Sequence, residues 1–168
     1  SAVVGGDETC GNDVVISGLH EKLSYSLGQF HYESEGYREN NSQQHDLYNA
    51  LVQFRVAPMT NVQVEYRNLE SEKGDLLMRF DPSDIRRDFF EENDVETLRL
   101  GARHSFSPRS HFIASLMRQS LEISQRDMPV PVVSTESRRD DESYIGEIQH
   151  VYQFRFGSVT SGAGYYES

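Results

Sequence analysis

Cysteine occurs once in this 168-residue chain, and lysine and arginine together number 16 against 27 aspartates and glutamates. One cysteine excludes an internal disulfide. The "DETC" around it lacks the small and apolar residues that precede a lipidated cysteine, so Cys10 reads as a residue without a role, near a loose N-terminal end over 1–12. A net charge of −11 excludes general affinity for nucleic acid, which needs cations to displace counterions along the phosphates. No stretch approaches the roughly 20 apolar residues of a membrane helix, which excludes that class and leaves β-barrels untouched. The chain also opens without a charged-then-apolar leader, so any signal peptide is expected to have been removed or to lie upstream of a fragment, and export is unseen but not refuted. With 36% hydrophobic residues and a mean hydropathy of −0.64, little apolar material is left for a core, although the length suits one domain.

What the chain does have is alternation. "LYNALVQFRVAPMTNVQVEYRNLE" (47–70), "ETLRLGARHSFSPRSHFIASLMRQ" (96–119) and "YIGEIQHVYQFRFGSVTSGAGYYE" (144–167) superimpose as hairpins reversing near Pro58, Pro108 and Gly157. "DVVISGL" (13–19) and "KLSYSLGQFHY" (22–32) add two strands joined at His20 and Glu21, for about eight in all. In the first hairpin Ala50, Val52, Phe54 and Val56 share a face with Val62, Val64 and Tyr66, and Gln53, Arg55, Gln63, Glu65 and Arg67 share the other. In the second, Leu98, Leu100, Ala102 and Phe106 join Phe112, Ala114 and Leu116, opposite Thr97, Arg99, Arg103, Ser105, Ser115 and Gln119. The third sets Ile148, Tyr152, Phe154 and Phe156 against Gln149 and Arg155, with His150 intruding on its apolar face as His104 does in the second.

Short reversals alternate with long charged segments, "ESEGYRENNSQQHD" (33–46), "SEKGDLLMRFDPSDIRRDFFEEND" (71–94) and "ISQRDMPVPVVSTESRRDDES" (123–143). A soluble up-and-down sheet has no reason to collect its long acidic insertions at one end. An outer-membrane barrel has short periplasmic turns and long extracellular loops. The expected fold is therefore all-β, part of an antiparallel up-and-down transmembrane β-barrel spanning 1–168. The apolar face meets outer-membrane lipid and the polar face lines a lumen. Tyr25, Tyr48, Tyr66, Phe106, Phe112, Tyr144 and Tyr165 fall near strand ends, as aromatic girdles do. If adjacent hairpins sit with their turns level, Glu65 falls opposite Arg103 and both point inward.

The tract from "LSYSLGQFHYESEGYRENN" through "HDLYNALVQFRVAPMTNVQVEYRNLESEKGDLLMRFDP" and "LRLGARHSFSPRSHFIAS" to "SGAGYY" resembles the barrel portion of Gram-negative outer-membrane proteins of the TonB-dependent-receptor-like type. In particular it is similar to barrels that follow tetratricopeptide repeats on the same chain. The resemblance implies a cell-outer-membrane location and a larger barrel to which this segment belongs. Because plug, TonB box and tetratricopeptide repeats are missing from these residues, energy-coupled uptake is not implied. The ending "YYES" lacks the terminal aromatic of such barrels, which points to an internal piece.

No enzyme, cofactor or metal centre is expected. His20, His31, His45, His104, His111 and His150 never stand at helical ligand spacing and read as scattered strand and loop residues that no cysteine joins. Asp75, Asp81 and Asp84 share a segment without calcium-loop spacing and read as a solvated acidic loop. "RHSFSPRSH" has neither a nucleophile elbow nor an oxyanion-hole signature. Three functions remain open: a lumen passing a small polar solute or a secreted polysaccharide, a barrel that anchors or displays other domains, and a soluble carbohydrate-binding β-sandwich.

Overall fold

The computed structural model describes residues 1–77, 85–130 and 133–168. They form one sheet of nine antiparallel strands, each paired with its neighbours in sequence. The strands are β1 (Ala2–Val4), β2 (Cys10–His20), β3 (Leu23–Ser34), β4 (Gln43–Ala57), β5 (Thr60–Lys73), β6 (Phe90–Ser107), β7 (Ser110–Val130), β8 (Val133–Phe154) and β9 (Gly157–Glu167). The all-β up-and-down expectation holds, with nine strands in place of about eight. Contacts run only between sequence neighbours, so β1 and β9 are open edges and the sheet is not closed.

Part of the expected loose end is ordered: β1 pairs with residues 10–12, and Ser1 exchanges two hydrogen bonds with Asp13. Three residues are too few to show an alternation, which is why β1 is silent in the sequence. Two-residue turns at 21–22, 58–59, 108–109 and 155–156 join the hairpins at one end. At the other end the strands run further than expected. Of the stretch 123–143, residues up to Val130 belong to β7 and those from Val133 to β8. The segments 33–46 and 71–94 likewise lose residues to β3, β4, β5 and β6.

Directly paired residues share a face of the sheet. One row starts at His20 and runs Leu23, Phe54, Val62, Ala102, Ala114, Ile148, Ala163, apolar in every member from Leu23 on. The next row towards the loops runs Tyr25, Val52, Val64, Leu100, Leu116, Gly146, Tyr165. On this face Val52, Phe54, Val62, Val64, Leu98, Leu100 and Leu116 are 38–62% exposed, and no apolar side chain among the described residues is buried. On the other face Gln53, Gln63, Glu65, Thr97 and Gln119 are half-buried. A sheet folded for water shelters its apolar face. Here the apolar face is exposed along most of its length, while the polar face alternates half-buried residues with the exposed Arg55, Arg67, Arg99 and Arg103.

The pairing also carries a constant stagger. The row through Leu23 stands at the first residue of β3, two residues into β5, four into β7 and six into β9. Each hairpin therefore slides two residues past the last, or one residue per strand. With about 3.3 Å per residue and about 4.8 Å between strands, that slope is a tilt of about 35°.

This slide corrects one expectation. Glu65 pairs with Arg99 and Arg103 with Asn61, because the turns of successive hairpins are not level. Glu65 and Arg103 do share a face, and the salt bridge that forms is Arg99 Nη1 to Glu65 Oε2, 3.2 Å. Glu65→Arg is expected to lower stability by roughly 0.2–1 kcal/mol, and the double exchange with Arg99→Glu to recover most of it. Denaturant midpoints read both, and equal midpoints for the single and double variants count against this pairing.

Candidate functional site

Three groups of side chains stand out, and the strand register positions each. The first is the polar face. Gln53, Arg55, Gln63, Glu65, Arg67, Arg99, Arg103, Gln119 and Gln149 all lie on it. Arg155 does not: it occupies the turn before β9, its guanidinium 5.3 Å from the ring centre of Phe156. Val52, Phe54, Val62, Val64, Tyr66, Leu98, Leu100, Phe112 and Leu116 lie on the apolar face, while Val56 stands in the irregular step between Arg55 and Ala57 and has no paired residue. The intruding histidines sit near the turns and are partnered across the strands, His104 with Thr60 Oγ1 (2.9 Å) and His150 with Ser110 Oγ (2.8 Å). In each case a hydroxyl on the neighbouring strand meets one ring nitrogen, Nδ1 of His104 and Nε2 of His150, so neither imidazole is without a polar partner.

Charge and amide groups continue across the polar face. Arg67 reaches Glu65 at 3.4 Å, Ser105 Oγ lies 2.9 Å from His111 Nδ1, and Gln149 donates to Glu147. Gln63 lies over Gly101 and Asn49 over Gly28, space that a Cβ at either glycine would contest. At the loop end, Lys73 Nζ lies 2.7 Å from Glu91 Oε1, and Asn93 and Gln125 donate to the same carboxylate. Burial pushes Glu91 up, but these three donors outweigh it and hold the carboxyl below its ordinary value.

Leu51, Ile113, Met117 and Ile145 interrupt the polar residues of this face, and one row across it is apolar throughout five strands. Phe30, Leu47, Leu69, Val95 and Leu121 are directly paired in sequence, an apolar stripe across five strands.

The second group knits the loops. Asp75 is 1% exposed, and its carboxylate accepts from Arg38 Nη1 (3.4 Å) and the Arg86 N–H (3.1 Å). Arg38 Nη2 also donates to the carbonyls of Asp75 (2.7 Å) and Leu77 (2.6 Å), while Asn41 donates to the Asp75 carbonyl at 3.0 Å. Asn40, with φ +54°, donates to the carbonyls of Arg86 and Phe89. Asp75 is therefore a buried structural anion and not the solvated loop residue the sequence suggested. Asp81 and Asp84 lie outside the described residues.

The third group is one that sequence reasoning missed. On the apolar face, beyond the band of apolar residues, β2 and β3 bring Cys10 opposite Glu33 and Asn12 opposite His31. Cys10 Sγ donates to Glu33 Oε1 at 2.9 Å, His31 Nε2 lies 3.6 Å from Glu33 Oε2, and His31 Nδ1 lies 2.7 Å from Asp46 Oδ1 on β4. Cys10 is thus neither at a loose end nor without partners, and a cysteine does join a histidine. From Asp46 the same row continues through Glu70, Asp94, Glu122 and Asp140, so this end of the apolar face is strongly anionic. Arg138, which reaches Glu122 and Asp140, offsets part of that charge.

Comparison with known proteins finds no family model that matches this chain and no curated protein that matches it.

Proposed function

We propose that this sheet is a portion of the wall of an outer-membrane β-barrel, with the apolar face against lipid and the polar face lining a lumen that passes a small polar solute or a secreted polysaccharide. The observation that carries this reading is the inverted amphipathicity, with the apolar side chains exposed and Gln53, Gln63, Glu65, Thr97 and Gln119 of the polar face half-buried. A sheet with that pattern is matched to hydrocarbon outside and water inside. Two further features support it. A tilt of about 35° falls at the lower end of the range for closed barrels, which need a register offset of fixed sense. The apolar stretch, from Val56 to Tyr48 on β4 and from Phe106 to Leu98 on β6, covers about nine residues; at that tilt they rise about 24 Å, close to the apolar band of such barrels. Tyr48, Tyr66, Tyr144 and Tyr165 border it on the loop side and Phe106, Phe112 and Phe154 on the turn side, in the manner of aromatic girdles. The resemblance to TonB-dependent-receptor-like barrels agrees with this placement and adds no cargo.

A second reading, a barrel that anchors or displays other domains without conducting, has its own support. The stripe from Phe30 to Leu121 is one that a water-filled pore does not need, and it suits a wall covered from inside. A soluble β-sandwich would cover the apolar face with a second layer, and the described residues supply none.

The full-length protein decides between these readings. It is expected to fractionate with outer membranes, to migrate faster on a gel when unheated, and to conduct ions in planar bilayers. A stable monomer free of detergent overturns the membrane reading. Intact insertion with no conductance favours the anchoring barrel.

A further inference from the structure

We propose that Cys10, His31 and Glu33 form a three-ligand site for a divalent transition metal, with Zn²⁺ the best fit and Asp46 as the positioning residue behind the imidazole. The thiol sulfur, an imidazole nitrogen and a carboxylate oxygen lie within 4.8 Å of one another. Ligand atoms around tetrahedral zinc stand about 3.3–3.8 Å apart, given metal–ligand bonds of about 2.0–2.3 Å. Small side-chain rotations close that difference, because Glu33 is half exposed and already reaches both partners, Cys10 Sγ at 2.9 Å and His31 Nε2 at 3.6 Å. The donor set is sulfur, nitrogen and oxygen, which suits zinc and disfavours calcium and magnesium, since those ions take oxygen ligands.

The arrangement behind the ligands makes this more than a chance cluster. Histidines that bind metal almost always hand their other nitrogen to a carboxylate or carbonyl, which fixes the ring and its tautomer. Here Asp46 Oδ1 sits 2.7 Å from His31 Nδ1, and Gln44 in turn donates to the other Asp46 oxygen at 2.8 Å. The result leaves Nε2 aimed at Glu33 and Cys10. Because the three ligands come from two strands and the supporting pair from a third, all positions are set by backbone ladders and not by a loop. Metal binding releases the thiol proton now shared with Glu33 and leaves a fourth position for water. The row of carboxylates running on from Asp46 raises the local concentration of cations. The inference concerns residues beyond the apolar band and does not depend on what covers that band.

Co²⁺ titrated into the folded full-length protein tests it, because a cobalt–thiolate bond gives a near-ultraviolet charge-transfer band that carboxylates alone never give. That band is expected for the native protein, to be bleached by added Zn²⁺ and abolished by Cys10→Ser. Zn²⁺ affinity by competition with a chromophoric chelator is expected to fall at least tenfold for His31→Gln and about 10–100-fold for Asp46→Asn. Glu70→Gln, which removes a neighbour in the acidic row but no ligand, is expected to change affinity less than twofold. A native protein that binds Co²⁺ without the thiolate band overturns the proposal, as does a Glu70→Gln loss equal to that of His31→Gln, since both describe a diffuse acidic surface.

Discussion

Val64→Arg is expected to keep the full-length protein out of the outer membrane, while Gln63→Arg, one residue away, inserts normally. Val64 is paired with Val52 and Leu100 in the middle of the apolar band, and its side chain is 45% exposed on that face. If that face meets lipid as proposed, a cation placed there enters hydrocarbon and costs roughly 2–4 kcal/mol. Against a net stability of about 5–15 kcal/mol for a typical fold, one such change weighs heavily, and it acts on every molecule attempting insertion. Gln63 points to the polar face, beside Gln53 and Gly101, where a guanidinium stays hydrated as those of the exposed Arg55 and Arg103 do. If that face conducts, Gln63→Arg is expected to shift selectivity towards anions. Membrane fractionation and unheated gel migration read insertion, and planar bilayers read selectivity. Equal tolerance at 63 and 64 ends the lipid-facing assignment.

Asp75→Ala is expected to release the loops without touching insertion. The carboxylate is buried, and removing it takes the counter-charge from the Arg38 guanidinium, whose side chain is only 14% exposed, and the acceptor from the Arg86 N–H. Breaking one partner of a buried ion pair costs about 3–5 kcal/mol. Arg38 keeps its two carbonyl acceptors, so the lower end of that range is expected. The cost is local because the knot joins 35–42 to 74–77 and 85–89, all beyond the strands' apolar band, and such a unit opens on its own. Limited proteolysis of whole cells should show new cleavage in 35–42, with the protein still in the membrane fraction. Asp75→Asn, which keeps the shape and one acceptor, is expected to fall between. A native cleavage pattern for Asp75→Ala means the knot does not hold the loops.

The strands inside the apolar band were legible because one face is apolar and the other polar. Three hairpins, their reversals and the side of every paired position follow from that alternation alone. Beyond the band both faces are polar, so β7 and β8 lose their periodic signal after about Arg118 and before Tyr144. The stretch 123–143 therefore reads as loop while its backbone continues the ladder, as in Ile123 opposite Arg139. Register between hairpins was illegible for a different reason. Alternation fixes the face, but the slide of two residues per hairpin comes from the twist and closeness of neighbouring backbones, which leave no trace in composition. That is why Glu65 and Arg103 were assigned the right face and the wrong partner.

The sulfur, imidazole and carboxylate cluster was within reach. A tight turn near residue 21 sets the pairing of the first hairpin by itself, and carrying the strand back past Asp13 brings Cys10 to the level of His31 and Glu33. The step not taken was extending β2 into a stretch, "CGN", that has no strand propensity. Asp75 had no comparable signal, since its partner Arg38 lies in another loop and no spacing rule joins them.

A sheet whose described apolar side chains are all at least partly exposed has a thermal signature of its own. The heat capacity of unfolding comes chiefly from apolar surface entering water, at about 0.45 cal/K/mol per Å², less a smaller polar contribution. Where hydrocarbon covers the apolar face before and after the strands separate, little of that surface changes its surroundings, and what enters water is mostly the amide and charged lining. The increment should then fall well below the about 12–15 cal/mol/K per residue of water-soluble domains. Enthalpy and entropy of unfolding would then vary little with temperature, the stability curve would flatten, and the low-temperature limit that a hydrophobic core imposes would recede out of reach.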